Sequence, residues 1–223
     1  NIVDIYMLER TYDNLFRVWL QDGGTKPDAS TSDQMRISYS GKLNSLKSLS
    51  DQIVYHPVKY KILFGSNADE ELQATFKVVK NTKTNVTDAV IKTRVIAAIN
   101  EFFALDNWDF GDAFYFTELA AYVHNQLAPD LLTAVIVPNQ AGQTFGSLFQ
   151  INSAADEIFI SGATVDDVSI ITALGANQLA ASGSVVTSTS TATTNTTTGS
   201  AVSGSTTTGS GSSSSSGSSG SGY

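Results

Sequence analysis

The chain has 223 residues, of which 13 are basic, 21 are acidic and none is cysteine. The lack of cysteine excludes a disulfide scaffold, a cysteine-ligated zinc site and a cysteine nucleophile. No run approaches the ~18 consecutive apolar residues of a membrane-spanning helix, and no charged-then-apolar leader is visible. Because residue 1 is Asn rather than Met, we expect a fragment or a processed chain.

Charge is distributed unevenly along the chain. Residues 1–94 carry all 13 bases and 11 acids, a net charge of +2, whereas residues 95–223 carry ten acids and no base. Nucleic-acid binding requires Lys or Arg side chains against phosphates, so we expect no nucleic-acid partner. The acidic half is better suited to protein partners of complementary charge.

The composition changes at residue 181. Of the 43 residues from 181 to 223, all but eight are Ser, Thr or Gly. So few large apolar groups cannot offset the entropy of ordering the backbone. We therefore predict a flexible low-complexity tail over residues 181–223.

The first 53 residues give three predicted elements. Residues 2–8 are apolar and β-branched at their start, which predicts a strand. Residues 21–40 are polar and contain Gly-Gly and Pro27, which predicts a loop. A short amphipathic helix is predicted where apolar residues recur at helical spacing, at Leu43, Leu46, Leu49 and Ile53.

Two alternating segments follow. Apolar residues alternate with polar ones over residues 58–64 and again over 72–78, with an acidic turn at 65–71 between them. Alternation with a period of two is typical of a strand that has one buried face. The two segments together predict a β-hairpin.

Helices and three more strands follow. Thr87 is a plausible N-cap for a helix to about residue 104, and a second helix is predicted over 117–127, ended by Pro129. The apolar run 133–137 predicts a central strand that is buried on both faces. Shorter strands are predicted at 157–160 and 168–171. This order predicts an α+β fold, with a small mixed or antiparallel sheet, two or three helices on one face, and a disordered Ser/Thr/Gly tail.

No catalytic motif stands out. His56 and His124 are the only histidines, and neither has the convergent partners that a metal site or an activated nucleophile needs. No nucleophile elbow, phosphate loop or dinucleotide fingerprint is present. We therefore predict no catalytic residue, no cofactor and no metal ligand, and expect that the protein is not an enzyme.

The segment 106–112 is the nearest approach to a cation site. Its acids fall at every third position, whereas calcium loops place ligands at alternate positions, and Trp108 occupies a ligand slot. One interpretation is a tight turn with Trp108 and Phe110 packed on the core. The other is a protein contact, because Trp and Phe beside acids resemble interface anchors. The candidate interface residues are Asp106, Trp108, Asp109, Phe110, Asp112, Tyr115 and Phe116, together with the acidic strands after residue 155.

Several stretches together resemble one family. They are residues 49–65, 70–78 and 91–100, the string Asn-Trp-Asp-Phe-Gly within 106–112, and Phe-Tyr-Phe-Thr-Glu-Leu at 114–119. They are similar to the carboxy-terminal part of the large baseplate wedge subunit of contractile-tailed phages of the T-even type, in the baseplate J-like group. The resemblance runs from about residue 2 to residue 179.

The resemblance implies a structural role. Family members self-associate, as dimers or through ring contacts, and join wedges into a ring around the central hub that rearranges during infection. The implied partners are other wedge, hub and sheath-initiating proteins, and the implied location is the tail baseplate of the virion, assembled in the host cytoplasm. Residues 1–40 would then be the end of a preceding domain and a polar loop, and residues 41–180 the α+β region.

Two other classes of function stay open on the residues alone. The Ser/Thr-rich segment 181–223 is also compatible with an adhesion or binding module on a flexible stalk. A hydrolase would need Asp106 or Glu118 to act with His124. Glu118 and His124 are six residues apart on one predicted helix and lie on different faces, about 120° apart around its axis, so they cannot cooperate directly.

Overall fold

A computed structural model of the chain describes residues 2–43, 52–139 and 150–175. These residues form four helices and several small sheets, which confirms the predicted α+β class. The helices are α1 (Arg10–Asp22), α2 (Ser32–Tyr39), α3 (Asp88–Phe102) and α4 (Phe116–Leu127). The strands are β1 (Ile2–Met7), β2 (Gln52–Pro57), β3 (Lys59–Leu63), β4 (Ala74–Lys80), β5 (Ala113–Tyr115), β6 (Leu131–Pro138), β7 (Gln150–Asn152), β8 (Glu157–Ser161) and β9 (Val168–Ile171).

The main core lies between a three-stranded sheet and two helices. β4 is the central strand, antiparallel to β6 and parallel to β9. Its inward residues alternate along the strand, and Phe76 and Val78 are fully buried. Helices α3 and α4 cover this sheet with residues at helical spacing, including Ile91, Val95 and Leu119. Burial of one apolar face of each element stabilises this layer.

A second core lies under α1. The parallel pair β3–β8 turns Tyr60 and Ile160 toward Phe16 of α1. The opposite face of the pair contributes Leu63 and Phe159 to the main core. Both faces of this small parallel sheet are therefore covered, as is usual for parallel strands.

Two further pairs complete the described strands. β1 pairs with β2 in parallel, and β5 pairs with β7 in antiparallel orientation. Helix α2 packs against β2. At its N-terminus Thr31 and Gln34 form a reciprocal capping box, with hydrogen bonds of 3.3 and 2.8 Å.

The predicted hairpin is wrong, although both of its strands exist. β3 pairs with β8, and β4 pairs with β6 and β9. Alternation determines which side chains face the core, and the expected inward positions are indeed buried. It does not determine which strand lies alongside, and here the partners of both strands come from much later in the chain.

Two other predictions need correction. The segment 21–40 is not a loop throughout, because α1 extends to Asp22 and α2 begins at Ser32. The run 133–137 lies in β6, which is at the edge of its sheet rather than at the centre, and residues 133–135 are only partly buried. An edge strand that packs under a helix can be as continuously apolar as a central one.

The helix predicted from Leu43 to Ile53 is also wrong at its end, because Ile53 lies in β2. Leu46 and Leu49 lie outside the described residues, as does the predicted tail at 181–223. The helices predicted near 88–104 and 117–127, and the strands at 2–8, 157–160 and 168–171, are confirmed to within two residues at each end. In the described part of the chain, no helix combines the length and apolarity needed to cross a membrane.

Candidate interaction surface

The predicted interface residues lie in the connection from α3 to the first residue of α4. This connection contains a 3-10 turn at Leu105–Asn107 and strand β5. Its course is set at both ends by regular elements, so its side chains have defined positions. It brings some of the predicted residues to the surface and places others in the core.

Two side chains of this connection cap helix α3. Asn107 donates a hydrogen bond from Nδ2 to the carbonyl oxygen of Glu101 at 2.9 Å. Trp108 donates from Nε1 to the carbonyl oxygen of Phe102 at 2.8 Å. The last carbonyls of a helix have no partner within the helix. The carbonyl of Glu101 also accepts from the N–H of Ala104 at 3.1 Å, whereas the bond from Trp108 satisfies the carbonyl of Phe102. The Asn-Trp pair therefore ends the helix and fixes the path of the chain beyond it.

The indole ring of Trp108 joins the two cores. It stacks on Phe103 with ring centroids 5.5 Å apart and meets the edge of Phe159 at 5.2 Å. It is partly buried and packs against residues of both the main core and the core under α1. Trp108 is therefore a packing residue, which supports the turn interpretation for this side chain.

The next four residues form a tight, hydrogen-bonded turn. The side-chain Oδ2 of Asp112 accepts from the backbone N–H of Asp109 at 2.8 Å. Gly111 has φ of +81°, a conformation that glycine adopts without strain. Its N–H donates to the backbone carbonyl oxygen of Glu157 at 3.2 Å. Ser153 donates to the carbonyl oxygen of Asp112 from its N–H at 3.0 Å and its hydroxyl at 2.9 Å. The turn is thus fixed to β8 and to Ser153, the residue that follows β7.

Four of the predicted interface residues are exposed. The side chains of Phe110 and Tyr115 are each 39% exposed, and Asp106 and Asp109 are exposed beside them in the chain. None of the ion pairs formed within the described ranges involves either aspartate. We call Asp106, Asp109, Phe110 and Tyr115 the acidic aromatic surface.

The predicted interface set therefore divides into two groups. Trp108 and Phe116 lie inward, Phe116 being only 6% exposed, and Asp112 is engaged in the turn. These three can position a contact surface but offer little area to a partner. An interface role for the other four stays a prediction.

The histidines lie apart from this surface. His56 Nε2 is 2.9 Å from Asp4 Oδ1, and its ring stacks on Tyr6 with centroids 4.7 Å apart. His124 lies in α4 with Nδ1 buried and without a hydrogen-bond partner among the described residues. Over residues 2–43, 52–139 and 150–175, no three His, Asp or Glu side chains converge as a metal site would require.

A partly buried polar network under α1 was not predicted from the sequence. Tyr60 donates from its hydroxyl to Asp13 Oδ1 at 2.5 Å, and Arg17 Nε donates to the same oxygen at 2.6 Å. Burial, and then the hydrogen bond donated to Asp13, raise the pKa of Tyr60 well above its usual range. The i, i+4 spacing of Asp13 and Arg17 would have predicted their pair, but Tyr60 joins it from 47 residues away.

Comparison with known proteins gives no assignment. A scan of protein-family models finds none that matches this chain, and a search of curated proteins finds no significant match.

Proposed function

We propose that this chain is a structural subunit of a phage contractile-tail baseplate. In this role it associates with copies of itself and with other wedge, hub and sheath-initiating proteins in the tail baseplate of the virion. The proposal begins from the resemblance of residues 49–65, 70–78, 91–100 and 106–119 to the large wedge subunit.

The observation that carries the proposal is the contrast between a packed and an exposed aromatic side chain within residues 106–116. Trp108 caps α3 and joins the two cores, while Phe110, two residues later, is 39% exposed. An exposed aromatic side chain on a rigidly held turn loses little conformational entropy when a partner covers it. Aromatic anchors of this kind supply much of the binding energy in protein interfaces.

Charge favours a protein partner of opposite sign. Asp106 and Asp109 are exposed without an ion-pair partner among the described residues, and no base follows Arg94 in the sequence. In a ring, contacts between neighbouring copies join two different surfaces. The acidic aromatic surface of one subunit would then meet a surface that carries bases, which in this chain all lie within residues 1–94.

The test measures the solution mass of the full chain by light scattering over a concentration series. We expect species larger than the 23.6 kDa monomer at high concentration. The double variant Phe110→Ser/Tyr115→Ser should stay monomeric at concentrations where the natural chain associates. Because both side chains are already 39% exposed, the variant should fold normally.

The matched control is Val90→Ser, which removes an apolar side chain of similar exposure, 47%, from the first turn of α3. It should associate like the natural chain. A double variant that associates as strongly as Val90→Ser would refute the assignment of the interface to this surface. A natural chain that stays monomeric throughout would contradict self-association.

A further inference from the structure

A cavity of about 400 Å³ opens between α1, the last turn of α3 and the loop that follows β8. Its apolar lining includes Leu20, Phe103 and Ile160, and its polar lining is Arg17, Gln21, Asn100, Ser161 and Thr164. The volume lies within the range of small-ligand pockets, which combine apolar walls with a few polar groups. None of its lining residues is Asp or Glu.

The cavity lies where ligand sites occur in parallel sheets. β3 and β8 run parallel, and both end at the loop that forms one wall, with Leu63 opposite Ser161. In open α/β sheets, ligands bind outside the carboxyl ends of the strands, and this two-stranded parallel pair presents the same end to the cavity. The loops after β3 and β8 approach so closely here that a Cβ on Gly65 would lie 1.9 Å from the carbonyl oxygen of Gly162. Only glycine at position 65 allows this approach.

Arg17 is held in position on the opposite wall. Its Nε donates to Asp13 at 2.6 Å, its Nη2 lies 3.4 Å from the hydroxyl oxygen of Tyr60, and its guanidinium carbon is 5.8 Å from the centroid of the Tyr60 ring. Nη1 has no acceptor among the described residues. The guanidinium is therefore preorganised through Nε, while its Nη end still has N–H donors to offer.

We propose that this cavity binds a carboxylate with a short apolar body. The Nη edge of Arg17 would donate to the carboxylate oxygens, because the planar guanidinium matches a carboxylate in two-bond geometry. The amides of Gln21 and Asn100 can add donors at the rim. The apolar body would lie against Leu20, Phe103 and Ile160. The site is separate from the acidic aromatic surface and does not depend on the proposed function.

The same chemistry could come from a free organic acid or from the carboxyl terminus of a peptide. Two probes distinguish them: isovalerate as the free acid and N-acetyl-leucine as the peptide terminus. Isovaleramide, which has the shape of isovalerate without its charge, reports binding that does not depend on the carboxylate. Whichever acid binds more tightly identifies the source.

The experiment is an NMR titration of the full chain, with backbone amide shifts recorded at constant ionic strength. Isovalerate or N-acetyl-leucine should give saturable shifts at Asn100, Phe103 and Thr164, with a Kd of the order of 1 mM for so small a ligand. Isovaleramide should bind at least ~10-fold more weakly, because it lacks the charge that strengthens bonds to a guanidinium. Arg17→Gln should weaken acid binding at least ~10-fold, and Arg17→Lys should also weaken it.

Arg36→Gln is the matched control, because it removes the same charge from an arginine that is outside the cavity lining. It should leave binding unchanged. Should Arg17→Gln fail to fold, Asn100→Asp serves instead, since Asn100 is exposed and the new charge would repel the ligand. The proposal is overturned if neither acid gives saturable shifts at these residues, if isovaleramide binds as tightly as isovalerate, or if the cavity variants bind like Arg36→Gln.

Discussion

The indole nitrogen of Trp108 donates a hydrogen bond at 2.8 Å to the carbonyl oxygen of Phe102, the last residue of α3. One side chain thus ends a helix and, through its ring, also packs between the two cores. Trp108 therefore fixes the path of the chain into the exposed segment that follows it. The exposed residues of the acidic aromatic surface therefore lie beside a side chain whose position is fixed by the cap on α3 and by packing against both cores.

Truncation of Trp108 should destabilise the fold strongly. Trp108→Ala removes the stacking on Phe103 and the cap on α3, and we expect a loss of about 3 kcal/mol in the free energy of unfolding. Trp108→Phe keeps most of the packing and should lose about 1 kcal/mol. Phe110→Ala should change stability by less than about 0.5 kcal/mol. Urea denaturation measures the free energy of unfolding of all three variants. An equal loss for Phe110→Ala and Trp108→Ala would contradict the conclusion that Trp108 is a packing residue and Phe110 a surface residue.

The contact between Gly65 and Gly162 should tolerate no side chain. A Cβ at Gly65 would lie 1.9 Å from the carbonyl oxygen of Gly162, and Gly65 has φ of +71°. We expect Gly65→Ala to cost more than about 3 kcal/mol, because it adds a backbone clash to conformational strain. Gly24→Ala separates the two effects, since Gly24 has φ of +102° and open space around it. It should cost only about 1 kcal/mol. Similar thermal stabilities for the two variants would show that the loops can move apart.

Asp130 should contribute to stability at neutral pH but not in acid. A hydrogen bond from Thr84, and then the bond and charge of Arg94, lower the pKa of its carboxyl group. Because the folded-state pKa lies below the unfolded value, ionised Asp130 stabilises the fold above about pH 4, and this contribution is lost as pH falls through the folded-state pKa. Asp130→Asn should therefore be less stable than the natural chain at pH 7.

Urea midpoints measured from pH 7 down to about pH 2 test this, and the two curves should converge at the acid end. Asp33→Asn, at an exposed ion pair within α2, is the control and should track the natural chain throughout. A constant difference between the natural chain and Asp130→Asn at every pH would contradict the assignment.

Ionisation of tyrosine at alkaline pH should destabilise the fold in part through Tyr60. Burial and the hydrogen bond to Asp13 raise its pKa, so its contribution is complete below the unfolded tyrosine pKa of about 10 and declines as pH rises beyond it. Tyr60→Phe should lose about 1 kcal/mol at pH 7 from the missing hydrogen bond, and its stability should fall less steeply above about pH 10. Tyr6→Phe, at a 38% exposed tyrosine, is the control. If the stabilities of Tyr60→Phe and the natural chain fall equally steeply above about pH 10, the tyrosine at position 60 does not resist ionisation in the fold.

The elements that sequence predicted well are those with a single clean period. Helix α3 presents Ile91, Val95 and Ile99 on one face, and helical spacing alone identifies them. Helix α1 was not predicted, although Tyr12, Phe16 and Trp19 recur at helical spacing and pack in the core under it. The same periodicity that identifies α3 could therefore have identified α1.

Strand pairing and the contacts of the candidate surface could not be predicted, because both depend on residues that are distant in the sequence. Local alternation placed Phe76 and Ile62 on buried faces, but the partners of β3 and β4 come from distant segments. The turn interpretation of 106–112 holds for Trp108, which packs on the core, but is wrong for Phe110, which is 39% exposed. The cap that Trp108 forms on α3 could not be predicted, because it depends on where one indole nitrogen lies in three dimensions. The cavity beside Arg17 likewise exists only once α1, α3 and β8 are assembled.

Hydrogen exchange at two protein concentrations locates the surface through which the chain associates. We expect backbone amides of residues 109–115 to exchange more slowly when the full chain is concentrated enough to associate, and amides of α2 to exchange at an unchanged rate. Raising the salt concentration should reduce this protection, because the surface is acidic and exposed charges are screened. Association that protects other segments while leaving residues 109–115 unchanged would show that the acidic aromatic surface is not the interface.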